Sequence, residues 1–219
     1  MKKKYSITLF IFLVSILLAK AQISVGLLSG YQLPIGKNIQ DIFYSNTPQY
    51  ADFRCFSKGN IPVGISIKYK LNDKVGIYTD YNYLVNINES IDINATTFNF
   101  SNKVHAIKVG ANYLFGTGKL KPLLGVDVGI YIWTPKFYST SNGTTHEVNF
   151  ESNNSLGIGA KAGILYQVTD KLDILATDNF AYIFSSGTLT YKEAGLDPIP
   201  LSDSKMIGLQ IGIDYHFGK

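Results

Sequence analysis

The residues best suited to chemistry in this sequence are three histidines and one cysteine, and they are scattered. His105, His146 and His216 lie far apart, and Cys55 is the only cysteine. None of them stands at the spacing of a metal-binding pair, so the sequence predicts neither a metal site nor a cofactor. A single cysteine also excludes an intramolecular disulfide.

A catalytic site can be assembled only in one polar segment. A histidine base needs a nucleophile and an orienting acid within hydrogen-bond reach, and His146 has Glu147 beside it and Ser139 and Ser141 nearby. Segments rich in Ser, Thr and Asn bring such residues together by chance, and no Gly-x-Ser-x-Gly or His-Glu-x-x-His motif occurs. We therefore predict a non-catalytic protein. The alternative is a membrane-embedded enzyme that acts on lipid or on a cell-surface substrate.

The elements that carry these residues are indicated by an alternation of apolar residues with small or polar ones, which recurs in eight segments. In the last segment, Ile207, Leu209 and Ile211 stand at every second position, and Gly208 and Gln210 stand at the positions between them. We call these two sets of alternate positions the apolar parity and the polar parity. Side chains two apart on a strand point the same way, so each segment is predicted to be a strand with one bulky apolar face. The predicted strands are Ile23–Leu33, Ile61–Tyr69, Val75–Val85, Val104–Phe115, Leu123–Thr134, Leu156–Val168, Leu172–Phe184 and Lys205–Phe217.

The connections between these strands alternate in length. Three are tight and four are long and polar, the pattern of an up-and-down barrel in an outer membrane, with short periplasmic turns and longer external loops. Asp178 falls on the apolar parity of the seventh strand, so a bulge is expected to shift the register there. The long connections are residues 34–60, 86–103, 135–155 and 185–204.

The first 21 residues have the pattern of a signal peptide. Lys2, Lys3 and Lys4 precede an apolar run at residues 7–18, which is shorter than the roughly 17–25 residues of a spanning helix. Residues 22–219 then form the mature domain. Four of the 20 basic residues leave with the signal, so 16 basic residues face 16 acidic ones. The basic character of the full chain is therefore no indication of nucleic-acid binding.

Two features indicate which strand face is inside. Glycines cluster on the polar parity, and the lumen of an eight-stranded barrel is only wide enough for side chains. The same parity carries lysines, and each lysine would cost about 2–4 kcal/mol at the lipid midplane. We predict a polar, plugged lumen without an open pore, rather than a soluble barrel with an apolar core. The predicted lumen charge network is Lys68, Asp80, Lys108, Asp127, Lys161 and Asp214.

Aromatic residues on the apolar parity gather at the two ends of the strands. Two aromatic belts separated by aliphatic residues are typical of two membrane interfaces. The turn-end belt is Tyr69, Tyr113, Phe115, Tyr166, Tyr215 and Phe217, and the loop-end belt is Tyr31, Tyr81, Tyr83, Phe180, Tyr182 and Phe184.

The first long loop has two interpretations. Aromatic residues and arginine are enriched where partners bind, so this loop is a candidate contact for a protein partner. Alternatively, it folds over the barrel mouth as a lid on Tyr131 and Trp133, which have the inward parity. The candidate residues are Phe43, Tyr44, Tyr50, Phe53, Arg54 and Phe56.

Several local sequences support a family resemblance over residues 22–219. The signal ending in Ala-Gln, the start at Ile23–Tyr31 and the end at Ile211–Phe217 resemble the PorT-like small outer-membrane β-barrels of Bacteroidetes. The resemblance implies the outer membrane of a Gram-negative bacterium and no shared catalytic residues. Some members are associated with type IX secretion and gliding. The terminal Tyr-x-Phe at 215–217 is similar to the signal that barrel-assembly machinery recognises, so that machinery is an expected partner during biogenesis.

Taken together, these patterns predict an all-β protein. It is an eight-stranded, antiparallel, up-and-down transmembrane barrel in contact with outer-membrane lipid. Both of its termini are periplasmic and its long loops are extracellular. We expect it to act in assembly, secretion or surface interaction through those loops.

Overall fold

The computed structural model describes residues 22–36, 52–93, 95–185, 187–193 and 197–217, and the strand periodicity of the sequence is visible throughout them. The signal peptide predicted at residues 1–21 lies outside this part of the chain. The elements are β1 (Gln22–Ile35), α1 (Phe53–Phe56), β2 (Gly59–Lys70), β3 (Val75–Ile87), β4 (Glu89–Ile93), β5 (Thr96–Leu114), β6 (Leu120–Ser141), β7 (Thr144–Asn149), β8 (Asn153–Gln167), β9 (Leu172–Phe184), β10 (Thr188–Leu189), β11 (Ile199–Pro200) and β12 (Ser204–Phe217).

Eight of these strands close into a barrel in which every neighbour is antiparallel. They follow one another around the wall as β1, β2, β3, β5, β6, β8, β9 and β12. The first and last strands pair from Ile23 with Phe217 to Ile35 with Lys205, so the wall has no open edge. The eight predicted strands and the antiparallel barrel are therefore confirmed. Among the described residues, no helix has the length and apolar composition needed to cross a membrane.

The two ends of the barrel differ in their connections. At one end, residues 71–74, 115–119 and 168–171 join strands directly, and we call this the short-turn end. The opposite end, where the longer connections and the extra strands lie, is the long-loop end. The predicted alternation of short and long connections is present.

The isoleucine-rich face of the sheet points outward. Leu27, Val126 and Leu209 are 68%, 64% and 62% exposed, whereas Ser66 and Asp80 are almost completely buried. Since a soluble protein would bury the aliphatic face, this inversion is the arrangement expected of a barrel surrounded by hydrocarbon.

The bulge expected at Asp178 is absent, so that prediction was wrong. Asp178 pairs with Ala162 of β8 and with Leu209 of β12, and both ladders run through it without a break. The side chain is therefore exposed on the outer, apolar face. Continuous backbone pairing on both sides holds this strand in register.

Two connections predicted as loops contain strands. β5 begins at Thr96 and β6 continues to Ser141, and the two pair with each other along this whole extension. β4 pairs with the extended part of β5, and β7 with that of β6. A two-residue turn joins β6 to β7, with φ of 50° at Asn142 and 76° at Gly143. Positive φ at both central residues is the geometry that an Asn-Gly hairpin turn favours.

Glycines on the inner face make room for charged side chains of the next strand. A β-carbon at Gly26 would collide with the carboxylate of Asp214, and one at Gly159 would collide with that of Asp127. Each of these glycines thus leaves the space that one luminal carboxylate occupies.

Replacing Gly26 by valine is expected to destabilise the barrel by about 1–3 kcal/mol, because the new side chain overpacks the lumen against Asp214. The matched control is Leu27→Val, which shortens a lipid-facing side chain one position away and leaves the lumen unchanged. Urea unfolding in lipid vesicles measures both. Equal stability of the two variants would contradict the tight fit of Asp214 against Gly26.

Candidate functional site: the luminal charges and the closed mouth

A group of charged side chains, which we call the charged layer, occupies the lumen from its middle toward the short-turn end. All six residues of the predicted network have inward positions, and each is buried or half-buried. Asp80 and Asp214 are each 1% exposed, and Lys108 and Lys161 are each 7% exposed. A buried charge is costly unless it is paired, so the contacts within the layer decide whether it is tolerated.

The contacts join strands that are not neighbours in the wall. The Nζ atom of Lys68 donates to Oδ2 of Asp214 at 2.5 Å. The Nζ atom of Lys161 lies 3.6 Å from Oδ2 of Asp80, whose Oδ1 accepts a hydrogen bond from Ser66. The first contact passes over β1, and the second joins β8 to β3, three strands away.

An aromatic side chain connects the second ion pair to the third aspartate. The hydroxyl of Tyr78 donates to Oδ2 of Asp127 at 2.9 Å, and the ammonium of Lys161 lies 3.2 Å from the centre of the Tyr78 ring. Lys108 faces Asp80 in the β3–β5 ladder, and its stem lies against Gly129. Three ammonium groups and three carboxylates thus share one layer and balance in charge.

The lumen contains apolar clusters beside its charged residues, whereas the sequence predicts a polar, plugged lumen. Five leucines form an apolar cluster toward the short-turn end, namely Leu28, Leu114, Leu123, Leu165 and Leu175. A larger apolar cluster lies at the long-loop end, around Phe56, Val104, Trp133, Ile183 and Met206. Asp80 and Lys161 lie between these two clusters, whereas Lys68 and Asp214 lie beside the leucine cluster and line a small pocket with Leu114 and Leu165.

A short helix belongs to the larger cluster. Asp52 caps α1, and its Oδ1 accepts hydrogen bonds from the backbone N–H groups of Arg54 at 2.8 Å and of Cys55 at 3.2 Å. The Arg54 guanidinium donates back to the carbonyl of Ser57 at 3.1 Å. These local bonds hold the helix in the orientation that directs Phe56 and Cys55 into the barrel.

Phe56 seals the mouth by packing on three aromatic rings. Its ring centre lies 6.1 Å from those of Phe100 and Trp133 and 6.3 Å from that of Phe150. Trp133 is completely buried, and its indole N–H donates to Oδ1 of Asn153 at 3.2 Å. Because Phe56 is only 3% exposed, its position favours the lid interpretation of the loop over the partner contact.

The remaining candidates of the first loop are only partly described. Phe53 is the first residue of α1, and Tyr131 is 3% exposed on the inner face, as its parity predicts. Phe43, Tyr44 and Tyr50 lie outside the described residues. The cluster itself was missed as a unit, because it combines residues from strands that are distant in sequence.

The candidate catalytic residues do not converge. Ser139 and His146 face each other across the β6–β7 ladder. Glu147 is the next residue along β7 and therefore lies on the opposite face of the sheet. There its carboxylate accepts a hydrogen bond from Lys136 at 2.5 Å. That bond lowers the pKa of Glu147 and keeps the carboxylate away from His146. The orienting acid of a triad is therefore absent from this hairpin.

The other two histidines lie at opposite ends of the barrel. His105 is on the outer face, where Nδ1 is 2.8 Å from the Tyr81 hydroxyl, and His216 pairs through Nε2 with Oδ2 of Asp173 at 2.7 Å. Within the part of the chain that the structure describes, no group of three or more His, Cys, Asp or Glu residues is arranged to hold a metal ion.

The closed eight-stranded wall with its apolar exterior defines an outer-membrane barrel, and comparison with known proteins agrees. The chain belongs to the outer membrane protein β-barrel domain family, which matches residues 10–217. The narrower PorT-like relationship stays a prediction. No curated protein matches the sequence.

Two solved outer-membrane proteins illustrate the shared fold. Neisserial surface protein A is 19% identical, with 90% of this chain and 97% of that chain covered and a TM-score of 0.50. A major outer membrane protein of Thermus thermophilus is 11% identical, with 90% and 100% covered and a TM-score of 0.55. At these identities the similarity concerns the fold alone.

The thiol of Cys55 is expected to resist alkylation in the folded protein. Burial, reinforced by the nearby Asp52 carboxylate, raises the pKa of the thiol, so little reactive thiolate forms at pH 8. The control is an exposed thiol three residues away, Lys58→Cys in a Cys55→Ser background. We expect maleimide to label the control at least about tenfold faster, and urea to remove the difference. Equal labelling rates in the folded state would contradict the docking of α1 in the mouth.

Proposed function

We propose that this barrel is a non-catalytic surface-interaction protein that contacts a protein partner through its long-loop end. The observation that carries the proposal is the extension of β5 and β6 past the barrel wall at the long-loop end, and we call this extended part, residues 96–103 and 134–141, the hairpin. Its ladder continues to Thr96 and Ser141, whereas β3 separates from β5 at Leu84 and Val104. The hairpin therefore rises beyond the barrel wall as an ordered sheet with β4 and β7 at its sides.

The two faces of this hairpin have different chemistry. On one face, Phe100 and Phe137 pack with ring centres 5.0 Å apart and join the apolar cluster of the mouth. On the other face, Lys136 and Glu147 form an ion pair next to Tyr138. The apolar face anchors the hairpin, which leaves the polar face available to a partner.

The closed interior supports interaction rather than transport. Two apolar clusters lie in the lumen on either side of Asp80 and Lys161, and we infer that they leave a solute no continuous polar path. The dispersed catalytic candidates likewise give no support to the enzyme alternative. A role in assembly or secretion would use the same contact surface with a different partner.

The proposed orientation places the short turns and both termini in the periplasm and the hairpin outside the cell. Outer-membrane lipid would cover the apolar wall, and barrel-assembly machinery would act on β12, where Tyr215 and Phe217 pack with ring centres 5.0 Å apart. The charge balance of the mature chain gives no reason to propose nucleic acid as a partner.

A photo-crosslinking amino acid at Tyr138 is expected to yield a discrete protein adduct in living cells, because this position lies on the polar face of the hairpin. The matched control replaces Tyr166, a lipid-facing tyrosine at the short-turn end, and should not yield that adduct. An epitope inserted between Asn142 and Gly143 should be detected on intact cells. If the epitope is detected but Tyr138 yields no adduct, the orientation holds and the partner contact does not.

The purified protein is expected to form no stable open channel in planar lipid bilayers, because apolar and paired charged side chains close the lumen. A porin reconstituted in the same way serves as the positive control. Long-lived conductance steps that disappear on heat unfolding would contradict the closed lumen and favour a transport function.

A further inference from the structure

One charged side chain lies on the outer wall at a depth where the barrel meets hydrocarbon. Asp178 is the central residue of the 13-residue strand β9, and its side chain is exposed. Its outward neighbours along β9 are Ala176 and Phe180, and its cross-strand neighbours are Ala162 and Leu209. An ionisable residue at this depth is disfavoured in lipid and marks a functional site when it persists.

The part of the chain that the structure describes offers this carboxylate no hydrogen bond or ion pair. The outward lysine on the neighbouring strand, Lys205, pairs in register with Tyr182, and its Nζ lies 5.8 Å from the centre of that ring. Tyr182 is two outward positions away from Asp178 toward the long-loop end. Since no described residue pairs with this carboxylate, a group from another molecule in the membrane would satisfy it.

The wall around Asp178 has a bulky flank and a recessed flank. On the β12 side stand Ile207, Leu209 and Ile211, of which the last two are 62% and 60% exposed. On the β8 side the corresponding positions are Ala160, Ala162 and Ile164, of which only the two alanines are recessed. These two alanines form the floor of a groove, and Leu124 and Val126 of β6 form its far side. The groove is apolar except at Asp178.

This asymmetry is self-complementary under twofold symmetry. A twofold axis through Asp178 along the membrane normal sets the β12 flank of one copy against the β8 flank of the other. Leu209 of each copy, the β12 neighbour of Asp178, then faces the alanine groove of its partner, so the contact is made twice. Such a contact buries bulky side chains against small ones on both sides of the axis.

We propose that the outer wall centred on Asp178 is the interface of a membrane-embedded homodimer, with a second copy of this chain as its occupant. The two Asp178 carboxyls meet at the axis, where at least one is protonated and donates a hydrogen bond to the other. The dimer thereby removes both carboxyls from hydrocarbon and fills both grooves. This interface is lateral and does not depend on the proposed partner contact of the hairpin.

The test measures dimerisation of the full mature chain in lipid vesicles, by energy transfer between labelled copies over a range of protein-to-lipid ratios. Ala162→Leu fills the groove and should abolish dimerisation, whereas Ala111→Leu adds the same volume to the outer face of β5 and should not. Leu209→Ala removes the ridge without adding volume and should also weaken the dimer. Heat modifiability on gels verifies that each variant is folded.

Substitutions of Asp178 distinguish the role of its carboxyl group from the role of the shape of the interface. Asp178→Asn keeps a hydrogen-bonding pair at the axis and should dimerise like the wild type. Asp178→Leu should weaken the dimer about tenfold, the size expected for one hydrogen-bonded contact in a bilayer. In a Cys55→Ser background, Asp178→Cys should form a disulfide-linked dimer on oxidation. Thr79→Cys, on the outer face of β3 at the opposite side of the barrel, should stay monomeric.

Four results would overturn the proposal. The first is a wild-type protein that stays monomeric at every ratio. The second is equal disulfide formation at positions 178 and 79. The third is dimerisation that Ala162→Leu and Leu209→Ala leave unchanged in folded protein. Crosslinking of Asp178→Cys to a different membrane protein, with no self-adduct, would also exclude the second copy as the occupant.

Discussion

The structure depends on the pairing of β1 with β12, which leaves no strand edge in the wall. Hydrocarbon offers no hydrogen-bond partner to a free backbone group, so a sheet can stand in it only when closed. Closure with eight strands then determines the width of the lumen, which admits side chains and little else. The bulky face of every strand is consequently forced outward, and the small and polar face inward. The exposed aliphatic residues and the buried lysines have this one cause.

The narrow lumen explains why glycine and charge occur together. A lysine or aspartate that reaches across the barrel needs space on the neighbouring strand, and Gly26, Gly125 and Gly159 supply it beside Asp214, Lys161 and Asp127. Removing the space displaces the charge, and removing one charge leaves its partner buried and unpaired. The second loss is the larger, about 3–5 kcal/mol when an ion pair is fully buried. The layer is therefore a cooperative structural unit whose members depend on one another.

The sequence predicts the wall well because each strand repeats one two-residue period many times. It predicts less where the pattern is short or where distant segments meet. β4 and β7 are five and six residues long, although the Asn142-Gly143 pair is a strong hairpin signal that could have revealed β7. Parity places Lys68 and Asp214 in the lumen, but only the register of the whole barrel brings them into contact. The packing of Phe56 likewise depends on residues from strands that lie far apart in the chain.

Asp178 shows how register dominates the placement of single side chains. A bulge that turned this residue inward would also turn the following outward residues, Phe180, Tyr182 and Phe184, into the lumen. Burying three aromatic rings in a lumen already filled would cost far more than leaving one carboxyl on the wall. The barrel therefore keeps a polar defect in its apolar surface, and a symmetric contact is the simplest way to cover it. The two surfaces proposed for function are therefore both contacts with other molecules, one at the long-loop end and one on the outer wall.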